Sequence, residues 1–251
     1  MGGYRRNRNV HRCDCLWSSY VMKIFIDGGA NRGQSVSGFI KNFSFNKERD
    51  TIYCFEPAKR NKIFNYLQKK VKNLTEQGYN INVQDSALWV HDGELTFYDS
   101  GNEGSTTERK KSNLLHKKDG GAYQGRPKKF EKIKVKCVNL SRFILEQPEE
   151  AEIYLKLDIE GGEYKVIPHL DETGALKRVK MLLLELHAPK LLDRTAEADY
   201  NILDICEKNS LVPYKWNGNR KFDKKRFYYR EQIPALWARK NRDPDSGKRL
   251  T

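Results

Sequence analysis

Apolar positions in this chain fall into short dense runs, and between them lie stretches with apolar residues every three or four positions. Residues 21–27 form such a run, closed by Gly28 and Gly29, and residues 35–43 follow at helical spacing. The unit this predicts is strand, glycine loop, helix. Residues 51–56 make a second strand and 59–74 a long amphipathic helix. A third strand is expected over 81–89, then the turn His91-Asp92-Gly93 and one arm of a hairpin over 93–98. Residues 99–130 are polar, glycine-bearing and lysine-rich, too long for a plain connection, and read as a lid or a disordered excursion. Order resumes with a strand over 132–138 and a short helix over 140–146. A fourth core strand over 151–158 leads into a helix over 163–170, and 180–186 reads as a fifth, buried strand. A helix over 199–208 precedes a closing antiparallel hairpin built from 211–216 and 226–230. Strands alternating with helices predict an α/β fold with a doubly wound, mostly parallel sheet and ligands at the carboxyl ends of its strands.

Composition adds the outline around that core. At 251 residues and 38% hydrophobic content, one sizeable domain is expected over 21–237, interrupted by a basic loop over 99–131. A basic leader over 1–20 and a basic tail over 238–251 flank it. No run nears the roughly 18 apolar residues of a membrane span, and the leader lacks the apolar core of a signal peptide. Arg6 stands where a myristoylation signal needs Ser or Thr. The expectation is a soluble, cytoplasmic protein. Cys13, Cys15, Cys54, Cys137 and Cys206 are odd in number and scattered, which suits reduced thiols. His11, Cys13 and Cys15 lack the second ligand pair of a closed zinc site. The net charge of +14 is unevenly spread: residues 108–136 and 215–251 carry +8 each, the first 23 carry +4, and the rest −6. Basic patches of this kind draw polyanions such as nucleic acid, a phosphorylated glycan or a nucleotide-linked molecule, though basic tails also serve solubility alone.

Candidate chemistry clusters at the predicted strand ends. Asp27, Gly28, Gly29, Asn31 and Gly33 close the first strand, with glycines that admit a bulky ligand and an acid that can engage a cationic amine. Glu56 closes the second, 23 residues after Gly33, where an acid hydrogen-bonds a ribose diol. Asp85, Ser86 and Ala87 end the third, a natural place to meet an adenine edge. Asp158 and Glu160 end the fourth, and Glu185 and His187 the fifth. A nicotinamide dinucleotide would want G-x-G-x-x-G. Here the glycines are spaced differently and Asp27 would repel a pyrophosphate. A ligand bearing an ammonium and a sulfonium suits these carboxylates better.

With those positions in order, the sequence resembles the FkbM-type methyltransferases. The resemblance rests on residues 26–33 (IDGGANRG), Phe55-Glu56-Pro57, Asp85-Ser86-Ala87-Leu88, Asp92-Gly93-Glu94 and Gly104-Ser105-Thr106-Thr107. Its most specific part is residues 155–163 (LKLDIEGGE), and it runs from about residue 23 to 187. It implies a Rossmann-like class I methyltransferase fold and S-adenosylmethionine as methyl donor, with a hydroxyl of a sugar or other small scaffold as acceptor. By matching position, Asp27, Gly29, Asn31, Gly33 and Glu56 become cofactor contacts, and Asp158 faces the transferred methyl. The chain departs from the family at Gly162, more often Ala there, and in the long basic segment after Thr107.

Methyl transfer from a sulfonium needs in-line positioning and a group to take the hydroxyl proton. Asp158 is expected to orient the acceptor, with His187 or Glu160 as base. His187 reads equally well as a satisfied loop histidine, and Glu163 as an acid that suits the first turn of a helix. A divalent cation held by the carboxylates is an open alternative. The expected partner is a sugar or glycan, neutral, anionic or nucleotide-linked, with acceptor selectivity expected from a lid over 110–136. An RNA 2′-O-methyltransferase is the rival, for which Asp158, Lys180 and Glu185 offer part of a Lys-Asp-Lys-Glu set. A binding module without activity is the other.

Overall fold

β1 (Lys23–Gly28) sends alternate side chains to two different cores, Ile24 and Ile26 to one and Phe25 to the other. A strand apolar on both faces belongs at the centre of a covered parallel sheet, and β1 lies there. The structure, a computed structural model, describes residues 21–57, 62–99, 105–108, 131–191, 195–215 and 233–234. The leader over 1–20, the tail over 238–251, the arm over 226–230 and most of the basic loop lie outside the described residues.

The main sheet also contains β2 (Thr51–Phe55) and β3 (Ile81–Gln84). Between them come α1 (Gln34–Asn42) and α2 (Lys62–Thr75). Both helices are amphipathic; α2 buries Ile63, Phe64, Leu67 and Val71, one stripe of a 3.6-residue period. Strand order is β3-β2-β1-β7-β8-β9, with β7 (Glu152–Leu157), β8 (Val179–Leu184) and β9 (Tyr214–Lys215). Every pairing within this sheet is parallel. The order reverses between β1 and β7, so a crevice opens at their carboxyl ends. One core packs Phe25, Phe39, Phe64 and Leu67 with α1 and α2. The other packs Leu155, Ile167 and Ile202 with α3 (Leu140–Leu145), α4 (Glu163–Glu172) and α5 (Ala196–Lys208). This is the doubly wound, Rossmann-like arrangement expected.

The hairpin arm over 93–98 and the strand over 132–138 form as expected, while the strand over 81–89 and the reach of the lid differ. The strand over 81–89 is two strands, because the polar pair Gln84-Asp85 interrupts it: β3 stays in the main sheet and β4 (Ser86–Trp89) leaves it. β4 joins β5 (Gly93–Asp99) and β6 (Glu131–Asn139) in a second sheet of order β4-β6-β5. The hairpin partner of β5 is therefore β6, antiparallel, while β4 runs parallel to β6 on its other side. Residues 131–136 of the expected lid are the start of β6, with Lys132, Lys134 and Lys136 exposed by its alternation. At the far edge, β9 adds to β8 in parallel.

Candidate active site

Asp27 sits opposite Lys156 in the β1–β7 register, and this pairing organises the first half of the crevice. Both side chains are buried, with Lys156 Nζ 3.0 Å from Asp27 Oδ1. The same ammonium donates to the Gly29 carbonyl at 2.7 Å and the Gly28 carbonyl at 3.2 Å. The other Asp27 oxygen accepts from the Ser35 hydroxyl at the start of α1. Burial alone would lower the lysine's pKa, but Asp27 and Asp158 more than reverse this and hold it above its ordinary value. Lys156 is thus a fixed cation under the glycine loop.

That loop lies directly on the turn after β7. Gly29 has φ +72, and a Cβ there would stand 2.0 Å from the Asp158 carbonyl oxygen. Asn31 also takes a left-handed φ of 50, and its backbone N–H donates to Glu56 Oε2 at 2.9 Å. Asn31 Oδ1 is buried and has no hydrogen-bond partner among the described residues. Gly33 begins α1, and Gly28 packs against Leu88 of β4. Asp85 is half-buried at the break between the sheets, while Ser86 and Ala87 are buried in β4. The first group of predicted residues therefore converges on one loop, with Asp85 to Ala87 beginning the strand that passes beside Gly28.

The second half is built on a strained turn. β7 ends at Leu157, so Asp158 and Glu160 are released from strand alternation. Left-handed backbone at Glu160 (φ 55) and Gly161 (φ 114) then folds the chain back. Both carboxylates reach His187 Nε2, Asp158 Oδ1 at 3.6 Å and Glu160 Oε2 at 3.4 Å. Glu185 Oε1 stands 3.5 Å from the same atom. Behind the ring, Nδ1 is 3.0 Å from Glu163 Oε1. Glu163 is fully buried and accepts from the backbone N–H groups of Ile159 and Gly161, both at 2.8 Å. It is therefore the anchor of the turn and of the imidazole, well beyond a helix-dipole acid. His187 has no exposed surface, whereas the side chains of Asp158, Glu160 and Glu185 are 22, 21 and 31% exposed. The carboxylates face solvent and the imidazole backs them.

Distant segments complete the cluster. The Thr106 hydroxyl donates to the Glu160 carbonyl at 2.6 Å and accepts from the Glu108 N–H. The Tyr164 hydroxyl donates to Asp199 and accepts from the Ala188 N–H, fixing the chain next to His187. Burial raises the His187 environment's cost of charge, but Glu163 and Glu160, with Glu185 close by, outweigh it and push the imidazole up to about 10. Asp158 is pushed up to about 6 by burial, with Lys156 and His187 pulling back and Glu185 and Glu160 adding to the rise. Asp158, Glu185 and His187 each offer a ligand atom within 4.8 Å of the others. Lys180 does not join them: it lies near the start of β8, 61% exposed, 3.4 Å from Glu152.

A family model for the methyltransferase FkbM domain matches residues 27–209. The chain belongs to the FkbM methyltransferase family. The match takes in every predicted site residue, from Asp27 to His187. The chain is also similar to a solved structure, the methyltransferase FkbM from Methylobacillus flagellatus KT, at 14% identity and a TM-score of 0.47 over 80% of this chain. That match takes in 42% of the solved protein's length. No curated protein matches the chain.

The sequence assigns no role to Lys156, Thr106 or Ser35, and it marks Glu163 only as a helix-dipole acid. A lysine inside the apolar run of residues 153–157 was a visible signal, since lysine is almost never fully buried without a partner. Nothing local could place Thr106 on Glu160, 54 residues away.

Proposed function

We propose that this family member is an S-adenosylmethionine-dependent O-methyltransferase acting on a hydroxyl of a sugar or glycan. The observation that carries the reading is the contact between the glycine loop and Asp158. The loop that would hold the donor rests on the backbone of the residue best placed to meet the acceptor. Asn31, with its buried unmatched Oδ1, fits a donor-bearing ligand, and Glu56 and the glycine loop fit the rest of it. S-adenosylmethionine, when bound there, supplies a methyl group on a sulfonium.

Asp158 is the group that takes the acceptor's hydroxyl proton. Its carboxylate is partly exposed, and a pKa of about 6 leaves it mostly ionised yet basic near neutral pH. His187 is fully buried behind the carboxylates, and its role in this reading is to orient Asp158, Glu160 and Glu185 from behind. Lys156 holds the far side of Asp158, 3.7 Å from Oδ2, and fixes the loop. The exposed position of Lys180 weighs against the RNA reading, because it removes one member of the lysine-bearing set.

The test is mass spectrometry of sugars, nucleotide-linked sugars and RNA after incubation with labelled cofactor. Labelled sugar is the expected product, and Asp158→Asn should lower kcat by about 10²–10⁴ while cofactor still binds. Label appearing in RNA alone would replace the glycan reading.

A further inference from the structure

We infer that Asp158, Glu160, Glu185 and His187 form a binding site for one divalent cation. His187 Nε2 is a fully buried nitrogen that makes no hydrogen bond among the described residues. It is aimed at three carboxylate oxygens, at 3.4, 3.5 and 3.6 Å. A charge-assisted hydrogen bond to any one of them would draw it to about 2.7–2.9 Å. Three oxygens at nearly one distance from Nε2 is instead the spacing of atoms that share an ion. Two ligands held at about 2.1–2.4 Å from one ion, at right or tetrahedral angles, stand about 3.0–3.9 Å apart.

The opposite side of the ring gives the second observation. Nδ1 faces the Glu163 carboxylate at 3.0 Å, and Glu163 is itself fixed by two backbone N–H groups. A carboxylate behind a histidine selects the tautomer that presents Nε2 as a ligand, the usual support of a metal-binding imidazole. The ligand atoms come from two rigid places, the strained turn after β7 and the end of β8, so the cluster is organised before an ion arrives. Lys156 does not compete, because it faces Asp158 Oδ2 and not Oδ1.

Carboxylates favour Mg²⁺ and Mn²⁺, and one imidazole shifts the preference toward transition ions, so Mn²⁺ is the natural probe. Binding displaces any proton on Nε2. The site itself stands on geometry alone. Its role, drawing an acceptor hydroxyl toward Asp158 and lowering that hydroxyl's pKa, rests on the methyl-transfer reading.

The experiment titrates the full chain, stripped with chelator, with Mn²⁺ and follows loss of the free-ion electron paramagnetic resonance signal. S-adenosylmethionine binding is measured in parallel by calorimetry. One saturable Mn²⁺ per chain is expected, with affinity falling about 10–100-fold in Glu185→Gln and in Glu163→Gln. Thermal unfolding of each variant identifies any that fails to fold, and the partly exposed Glu185 is the safer of the two. Absence of saturable binding below about 1 mM, or equal affinity in the folded Glu185→Gln variant, overturns the site. Cofactor binding without Mn²⁺ binding would remove the ion and keep the methyltransferase reading. Mn²⁺ binding without cofactor binding would do the reverse.

Discussion

Lys156 shows how much a single side chain decides here. It is an ammonium closed off from water, matched by Asp27 and by two carbonyls of the glycine loop. Removing one partner of a buried pair leaves the other charge stranded, at about 3–5 kcal/mol. Lys156→Met should therefore destabilise the protein by that order in urea unfolding, and adding Asp27→Asn should return part of the loss. A single variant as stable as the wild type would show that the pair does not hold the loop. Gly29 makes the matching argument for the backbone. Alanine there would need a φ of +72 and would drive its Cβ into the Asp158 carbonyl. Gly29→Ala should cost about 3 kcal/mol or more and weaken cofactor binding, as read by denaturant midpoint and calorimetry. Wild-type values for both would mean that the loop can part from the β7 turn without loss.

Between elements, the clearest clasp joins α4 to the end of α5. Asp171 on α4 accepts from Lys208 and from Asn209, both at 2.8 Å. The hydrogen bonds from Asn209 and Lys208 hold its carboxyl below the ordinary carboxylate range. A folded-state pKa lowered in this way adds stability at pH values above the unfolded pKa of about 3.9, and that stability is lost as pH falls through the folded value. Asp171→Asn should thus be less stable than wild type at pH 7, by up to about 1 kcal/mol, because Lys208 is largely exposed. The gap should close below about pH 4 and shrink with added salt; a gap constant from pH 7 to 3 would assign it to packing. Element types were largely legible in the sequence, since apolar runs ending in Gly28, Glu56, Asp158 and Glu185 mark strand ends in any parallel sheet. What stayed hidden depended on register and on the turn backbone. Lys156 meets Asp27 only once β7 pairs with β1, and Glu163 reaches His187 only after Glu160 and Gly161 turn left-handed. At Asp85 the polar pair marks a break, but the change of sheet stayed hidden because strand periodicity continues on both sides.

At the scale of the whole chain, charge is the property that bears on the acceptor. The net charge of +14 gathers in residues 108–136, residues 215–251 and the first 23, leaving −6 over the rest. Of the basic residues between 108 and 136, Lys132, Lys134 and Lys136 lie on the exposed face of β6. No helix among the described residues is long and apolar enough to cross a membrane. An acceptor that used this charge would reveal it through salt. RNA running along such patches releases condensed counterions, and each neutralised phosphate adds about 0.7 to the slope of log affinity against log salt. Six contacts would lose about two and a half orders of magnitude between 50 and 200 mM. A neutral sugar releases none, and a sugar linked to one or two phosphates feels only ordinary screening. The glycan reading therefore predicts a KM for the labelled acceptor that changes less than about tenfold across that range, with kcat unchanged. A log–log slope steeper than about 4 would instead count six or more phosphates and transfer the acceptor to RNA. Asp158 would then act on a ribose hydroxyl, with the basic segments holding the strand.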